Sequence, residues 1–213
     1  MLTVWGRASS SNVQKVMWAV AELSLPHERK DVGGHFGGLD TDDYGKLNPN
    51  RLVPTVEFED GLVMFESNAI VRTLARRDAA RRLWPAEPKA EALTDMWAEW
   101  SQLNVTAAIT ALFWAVVRTA PSQRDAALIA HHMDAATKGL AIADARLAQM
   151  PYLAGDDLTI ADINFANGLY RYHTMEIDRP ALPNVKRYYD SLVARPAYAE
   201  HVMVDYAALR VHD

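Results

Sequence analysis

Leu52-Val53-Pro54-Thr55-Val56-Glu57-Phe58-Glu59-Asp60-Gly61-Leu62-Val63-Met64-Phe65-Glu66-Ser67-Asn68-Ala69-Ile70 holds two chemical signals in a fixed order. Val53-Pro54 leads into a short apolar strand, and Asp60-Gly61 is a hairpin-turn pair between two apolar runs. A proline just before a strand points to an unusual turn, with a cis Val53–Pro54 bond as the expectation. Such a turn exposes backbone for pairing with a ligand. Glu66-Ser67-Asn68 then opens a helical pattern. A Glu-Ser pair at a helix start presents free N–H groups, a ready site for a carboxylate. Either signal alone reads as an ordinary hairpin or a capped helix. Both together, in this order, favour a ligand.

Upstream, residues 2–5 form a strand candidate and Ser9-Ser10-Ser11-Asn12 is a cluster of capping residues. Val13, Val16, Met17, Val20 and Leu23 recur at helical spacing until Leu25-Pro26. Residues 27–32 read as a second strand, 33–38 as a glycine-rich loop and 40–47 as a helical turn. Strands at 55–59 and 62–65 and a helix at 67–77 complete an α/β domain over residues 1–78. Residues 79–88, with Trp84-Pro85 and Pro88, read as a linker. From 89 to 213 the strand signal vanishes, and helices are predicted at 89–118, 123–149, from Thr159, at 184–194 and at 197–209. A small α/β domain followed by an all-α helical bundle is the expected fold class.

The chain has 213 residues, of which 50% are hydrophobic, enough for a sizeable core. A net charge of -5 and the lack of a basic run argue against nucleic acid as a partner. With no cysteine there is no disulfide, no thiolate metal site and no cysteine nucleophile. The N-terminus lacks the pattern of a signal peptide, and the Ala-rich stretch 105–117 is too short for a membrane span. A cytoplasmic protein with no membrane partner is expected. His131-His132 point in different directions on a helix, and the glycines at 33–38 lack phosphate-loop spacing, so no metal is expected.

Ser9 to Asn12 stand where a strand hands over to a helix. One of them is expected to cap. Another hydroxyl there, beside the positive end of the helix, suits a bound thiolate. Thr159-Ile160-Ala161-Asp162 fits a capping box, with Leu158 and Ile163 placed as its hydrophobic staple. In helix 89–118 one stripe carries Met96, Trp100, Leu103, Ala107, Ala111 and Trp114 and reads as core. A second, with Trp97, Ser101, Asn104, Ala108 and Ala115, suits an interface or a cleft wall.

Four stretches together resemble the soluble glutathione transferases. They are Ser9 to Trp18 (Ser-Ser-Ser-Asn-Val-Gln-Lys-Val-Met-Trp), Leu47 to Thr55 (Leu-Asn-Pro-Asn-Arg-Leu-Val-Pro-Thr), Glu66 to Arg72, and Tyr152 to Ile163 with its capping box. The chain looks most similar to bacterial, theta-like members that use serine. The resemblance implies a thioredoxin-like N-terminal domain and an all-α C-terminal domain carrying the acceptor site. It implies glutathione as co-substrate, no tightly bound cofactor, and attack of the thiolate on a small hydrophobic electrophile. Ser10 matches the catalytic serine, with Asn12 as its rival. Val53, beside Pro54, would pair with the cysteinyl backbone. Glu66 and Ser67 would hold the γ-glutamyl end, and Arg51 and His35 the glycyl carboxylate. Asn104, Phe113, Trp114, Arg118 and Tyr170 are acceptor-site candidates, with His173 nearby. Glutathione-dependent peroxide or disulfide reduction and a non-catalytic binding module are the alternatives. A homodimer is expected, built from helices 67–77 and 89–118, with Asp95 and Glu99 answering Arg72, Arg76 and Arg77 across the interface.

Overall fold

The structure, a computed structural model, describes residues 1–213. β1 (Leu2–Trp5), α1 (Ser11–Glu22) and β2 (His27–Lys30) form a βαβ unit. After a short 3-10 turn at Gly34–Phe36 come α2 (Asp42–Leu47), β3 (Thr55–Glu57), β4 (Val63–Phe65) and α3 (Ser67–Arg77). The sheet order is β2-β1-β3-β4; β1 runs parallel to β2 and antiparallel to β3, and β3 to β4. This is the thioredoxin-like arrangement, and α1 and α3 pack against one another beside the sheet. Both start at the end of the sheet where the loops carrying Ser10 and Glu66 emerge.

Residues 78–87 contain no helix or strand, but they are anchored. Trp84 is buried, its indole N–H donating to Glu91 at 3.0 Å, and the Leu83 carbonyl accepts from Ile160 N. Then α4 (Pro88–Ser101), a π-helical turn (Gln102–Thr106) and α5 (Ala107–Val117) run as one helix. α6 (Ala126–Leu147), α7 (Ile160–Ala166), α8 (Leu169–Thr174), α9 (Pro183–Val193) and α10 (Pro196–His201) complete the bundle. One apolar core runs through both halves, from Val4 and Val16 to Leu140 and Tyr188. Trp18 of α1 meets Tyr198 of α10 edge-on at 4.8 Å, and Arg195 forks onto Glu22 at 3.0 and 2.7 Å.

The predicted elements lie close to the observed ones, with instructive differences. The helix starting at Thr159 is interrupted at Asn167–Gly168, where Gly168 lies against Ile109, whose Cγ2 would sit 3.3 Å from an added β-carbon. The last helix stops at His201, well short of residue 209. The stripe expected in the core is largely exposed: Met96, Leu103 and Trp114 are 52%, 73% and 54% exposed, and only Trp100 packs against the core's edge. The buried face carries Thr94, Ala98, Ser101, Val105, Ile109 and Leu112 instead. Its small residues let α7 approach closely, and side-chain size misled the sequence reading. Residues 88–117 are long and apolar enough to cross a membrane by length and composition alone. They pack between α6 and α7, as a core helix does.

The arginines are also corrected. Arg72 bonds Asp95 at 2.8 Å and Glu99 at 2.5 Å within its own chain; Arg76 pairs with Glu91 and Arg77 with Asp60. The acidic residues expected to answer them across an interface are already occupied, because α3 and α4 lie side by side in one subunit.

Candidate active site

Three chain segments converge at the end of the sheet. Gly6, with φ +147°, lets the turn after β1 pass directly against Val53: an added β-carbon would stand 3.1 Å from the Val53 Cβ. The Val53–Pro54 bond is cis, as expected from the sequence. The loop around it is held from below by a buried polar network. Tyr44 Oη and Asn48 Nδ2 donate to the Leu52 carbonyl at 2.7 and 2.9 Å, and both also reach Thr55 Oγ1, at 3.0 and 3.1 Å. Tyr44, Asn48 and Thr55 were not singled out from the sequence. Their only signal is the Asn-Pro-Asn turn, which brings α2 back under the loop.

Ser10 stands at the N-cap of α1, yet its side chain makes no capping bond. Its backbone N–H donates to Arg7 O at 3.1 Å and its carbonyl accepts from Gln14 N at 2.9 Å, so the hydroxyl is free while the backbone is fixed. Capping was the simpler reading of this serine, and the geometry leaves that role unfilled. Asn12, two residues on, is exposed. Its Oδ1 accepts from the Ser67 hydroxyl at 3.4 Å, which ties the starts of α1 and α3 together.

Glu66 holds φ +69° and ψ +104°, a conformation that non-glycine residues rarely adopt. Such backbone persists where the surroundings impose it, often at ligand sites. Its side chain is exposed and does not cap α3. The first α3 amides therefore lack a side-chain cap, with the buried Ser67 hydroxyl beside them. An uncapped helix start is an anion site by its dipole and its open donors.

Beneath it lies a residue that the sequence reading passed over. Lys15 of α1 is wholly buried, its ammonium donating to Asn68 Oδ1 at 3.0 Å and Gln102 Oε1 at 2.7 Å. Burial pulls its pKa down to about 8, with Glu66 and Glu99 drawing it back up. It links α1, α3 and the π-helical turn.

Arg51 and His35 lie at the rim. Arg51 Nη1 is committed to the Leu39 and Thr41 carbonyls at 3.0 and 2.7 Å, and its Nη2 lies 3.9 Å from Asp42. The residue is thus first a brace for the 39–42 loop. His35 is exposed and lies against Phe36.

The acceptor candidates separate into two groups. Phe113 and Tyr170 both pack on Tyr206, at 5.2 and 6.2 Å, and Arg118 lies 4.5 Å over the Trp114 ring. Arg171, which the sequence reading missed, joins them to the serine loop. It lies 4.4 Å over Phe113 and donates to the Ser9 carbonyl at 2.7 Å. Asn104 is not brought to this group. Its amide turns back onto the Trp100 carbonyl at 3.0 Å, and the residue lies in the π-helical turn, more than two turns before Phe113. His173 also turns away, stacking on Tyr189 at 4.3 Å.

Comparison with known proteins meets this geometry at both halves. The family models for the N-terminal and C-terminal domains of glutathione S-transferase match residues 9–77 and 105–196. Glutathione S-transferase GstB of Escherichia coli is 36% identical over 205 residues, covering 96% of this chain and 99% of that protein. Glutathione S-transferase 3 of Zea mays is 33% identical over 94% of this chain and 93% of its own. The crystal structure of the theta class glutathione S-transferase from Xanthomonas axonopodis pv. citri, with glutathione bound, superposes with a TM-score of 0.90. It shares 43% identity over 96% of this chain and 98% of that one. With an open serine hydroxyl, an uncapped α3 and both domains matched, the chain belongs to the glutathione S-transferase family.

Proposed function

We propose that this glutathione transferase binds its co-substrate along the Val53–Pro54 loop and the start of α3, with the thiol at Ser10. The observation that carries the reading is the pair of uncapped helix starts, α1 and α3, joined through Asn12 and Ser67. The γ-glutamyl carboxylate takes the free α3 amides and the Ser67 hydroxyl, and Glu66 takes the ammonium. Val53 pairs with the cysteinyl backbone. Arg51 and His35 border the glycyl carboxylate. The thiol releases its proton to solvent, and Ser10 Oγ donates to the thiolate, which the α1 dipole also favours. The thiolate then attacks the electrophilic carbon, a C–S bond forms, and the leaving group departs with its electron pair. The enzyme supplies position and charge stabilisation rather than a nucleophile of its own. No cofactor is needed for this step, and the protein acts in the cytoplasm.

Ser10→Ala tests the assignment. The pKa of bound glutathione, followed by thiolate absorbance, should rise by about one unit and slow conjugation by up to about tenfold at pH values below it. If Asn12→Ala moves the titration and Ser10→Ala does not, the two roles are exchanged.

A homodimer is part of the same reading. The bare Met96 and Leu103 on one ridge of residues 88–117 are apolar surface that a second copy would cover. A stable pairing should bury at least about 1,200 Å² around a two-fold axis. Light scattering at micromolar concentration should give twice 23.7 kDa, and a monomer there would refute the pairing.

A further inference from the structure

Arg7, Arg118 and Arg171 gather beside the serine loop without a carboxylate among their partners. Half of the chain's sixteen arginines form ion pairs, among them Arg29 with Asp31, Arg72 with Asp95, Arg82 with Asp78 and Arg195 with Glu22, and the unpaired Arg124, Arg146, Arg179 and Arg187 each stand apart and donate to backbone carbonyls. In a protein of net charge -5, three unpaired guanidinium groups at one place stand out.

Their settings differ. Arg171 of α8 is only 8% exposed. One nitrogen donates to the Ser9 carbonyl, while its buried Nε has no partner. Arg118 closes α5, stacked on the exposed Trp114. Arg7 lies across Gly33 and Gly34, with its Nε 3.1 Å from where a Gly34 β-carbon would be. The three feel one another. Burial, and then the charges of Arg7 and Arg118, pull Arg171 down to about 10, though Tyr206 opposes this. Arg7 is lowered by burial and by Arg118. Asp205, which acts on the neighbouring Tyr170, accepts from the Ala207 N–H and forms no ion pair with the three. Holding like charges together, one of them buried, is unfavourable unless an anion answers them.

We propose that the acceptor carries a carboxylate on a flat apolar body, with the carboxylate held by Arg118, Arg171 and Arg7. The proposal rests on the transferase reading and narrows its hydrophobic electrophile to an anionic one. Guanidinium groups match a carboxylate in shape as well as charge. Trp114 and the partly exposed Tyr170 offer aromatic surface for the body of the molecule, while the buried Phe113 backs Arg171. The Arg171–Ser9 bond sets this anion site one residue from Ser10, so a small molecule can reach the thiolate and the arginines together.

Two probes differing only in charge test this: 4-chloro-3-nitrobenzoate and 4-chloro-3-nitrobenzamide. In each, the glutathione thiolate attacks the carbon bearing chlorine, the C–S bond forms, and chloride leaves with the C–Cl electron pair. The reading is the ratio of kcat/KM for the acid to that for the amide, in which any general loss of active protein cancels. The ratio should exceed that of the uncatalysed reaction by at least about tenfold, the size of one charge-assisted hydrogen bond. Arg118→Gln should reduce it about tenfold, and Arg7→Gln should also lower it. A ratio at or below the uncatalysed value overturns the proposal, as does a preference that neither variant changes. If the variants slow both probes equally and raise the pKa of the bound thiol, the arginines serve the thiolate and the proposal fails. Amide turnover without acid preference rejects the anionic acceptor and keeps the transferase. Turnover of neither probe, with no glutathione bound in calorimetry, rejects both.

Discussion

Asp162→Ala should cost at least about 4 kcal/mol of stability, more than any other single polar change in the chain. Its carboxylate is completely buried and takes four bonds: from Leu153 N at 3.1 Å, Thr159 N at 2.9 Å, Thr159 Oγ1 at 3.2 Å and Tyr188 Oη at 2.8 Å. Burial pushes its pKa up, against the pull of those donors. Truncation would strand two backbone N–H groups and a phenol where no water can replace the acceptor, at about 1–3 kcal/mol each. The α7 start, the 153–158 loop and α9 all meet at this one group, so the loss is felt across the bundle. Urea unfolding at fixed protein concentration measures it. Asp162→Asn keeps one acceptor but turns a donor toward Thr159 N, and should fall between the two. A loss below about 1 kcal/mol for the alanine variant would show that the bundle does not depend on this carboxylate.

That residue was legible before the structure because a capping box is local: Thr159 and Asp162 lie within one helical turn. The Glu66-Ser67 start and the Val53-Pro54 turn were legible for the same reason, since their chemistry is written in adjacent residues. What escaped was chemistry assembled over distance. Arg171 reads as an ordinary helical arginine until the carbonyl of Ser9, remote in sequence, accepts its hydrogen bond. The bulky stripe of residues 88–117 was read as core, although small residues, not bulky ones, face the tightest contact. Asn104 was offered as a cleft wall because its helix stripe is small and polar, yet its amide is spent on the Trp100 carbonyl. Position along an element could be read from the chain, but which neighbour an element turns toward is decided by all the others.

Lys15 is the clearest such case, and it should leave a signature in the pH dependence of stability. Between the apolar positions Val13 and Val16 it looks like a solvated helix residue, yet Asn68 and Gln102 close over it from elements remote in sequence. In the folded chain its pKa is held near 8, below the ordinary 10.5 that it regains on unfolding. Between those values the unfolded chain keeps the proton and the folded chain has released it. The unfolded state then binds more protons, so stability rises with pH through this window. A depression of this size corresponds to a swing on the order of 3 kcal/mol. Lys15→Met removes the titration, and the wild-type advantage over the variant should grow by that amount from about pH 7.5 to pH 10.5. Parallel curves would mean that the ammonium is not sequestered. Glutathione binding should move the other way. Asn68 lies in the first turn of α3, so deprotonation of Lys15 withdraws a cation from beneath the proposed carboxylate site. Relative to Lys15→Met, in which the ligand's own titration cancels, glutathione affinity should fall across the same window in which the fold gains stability.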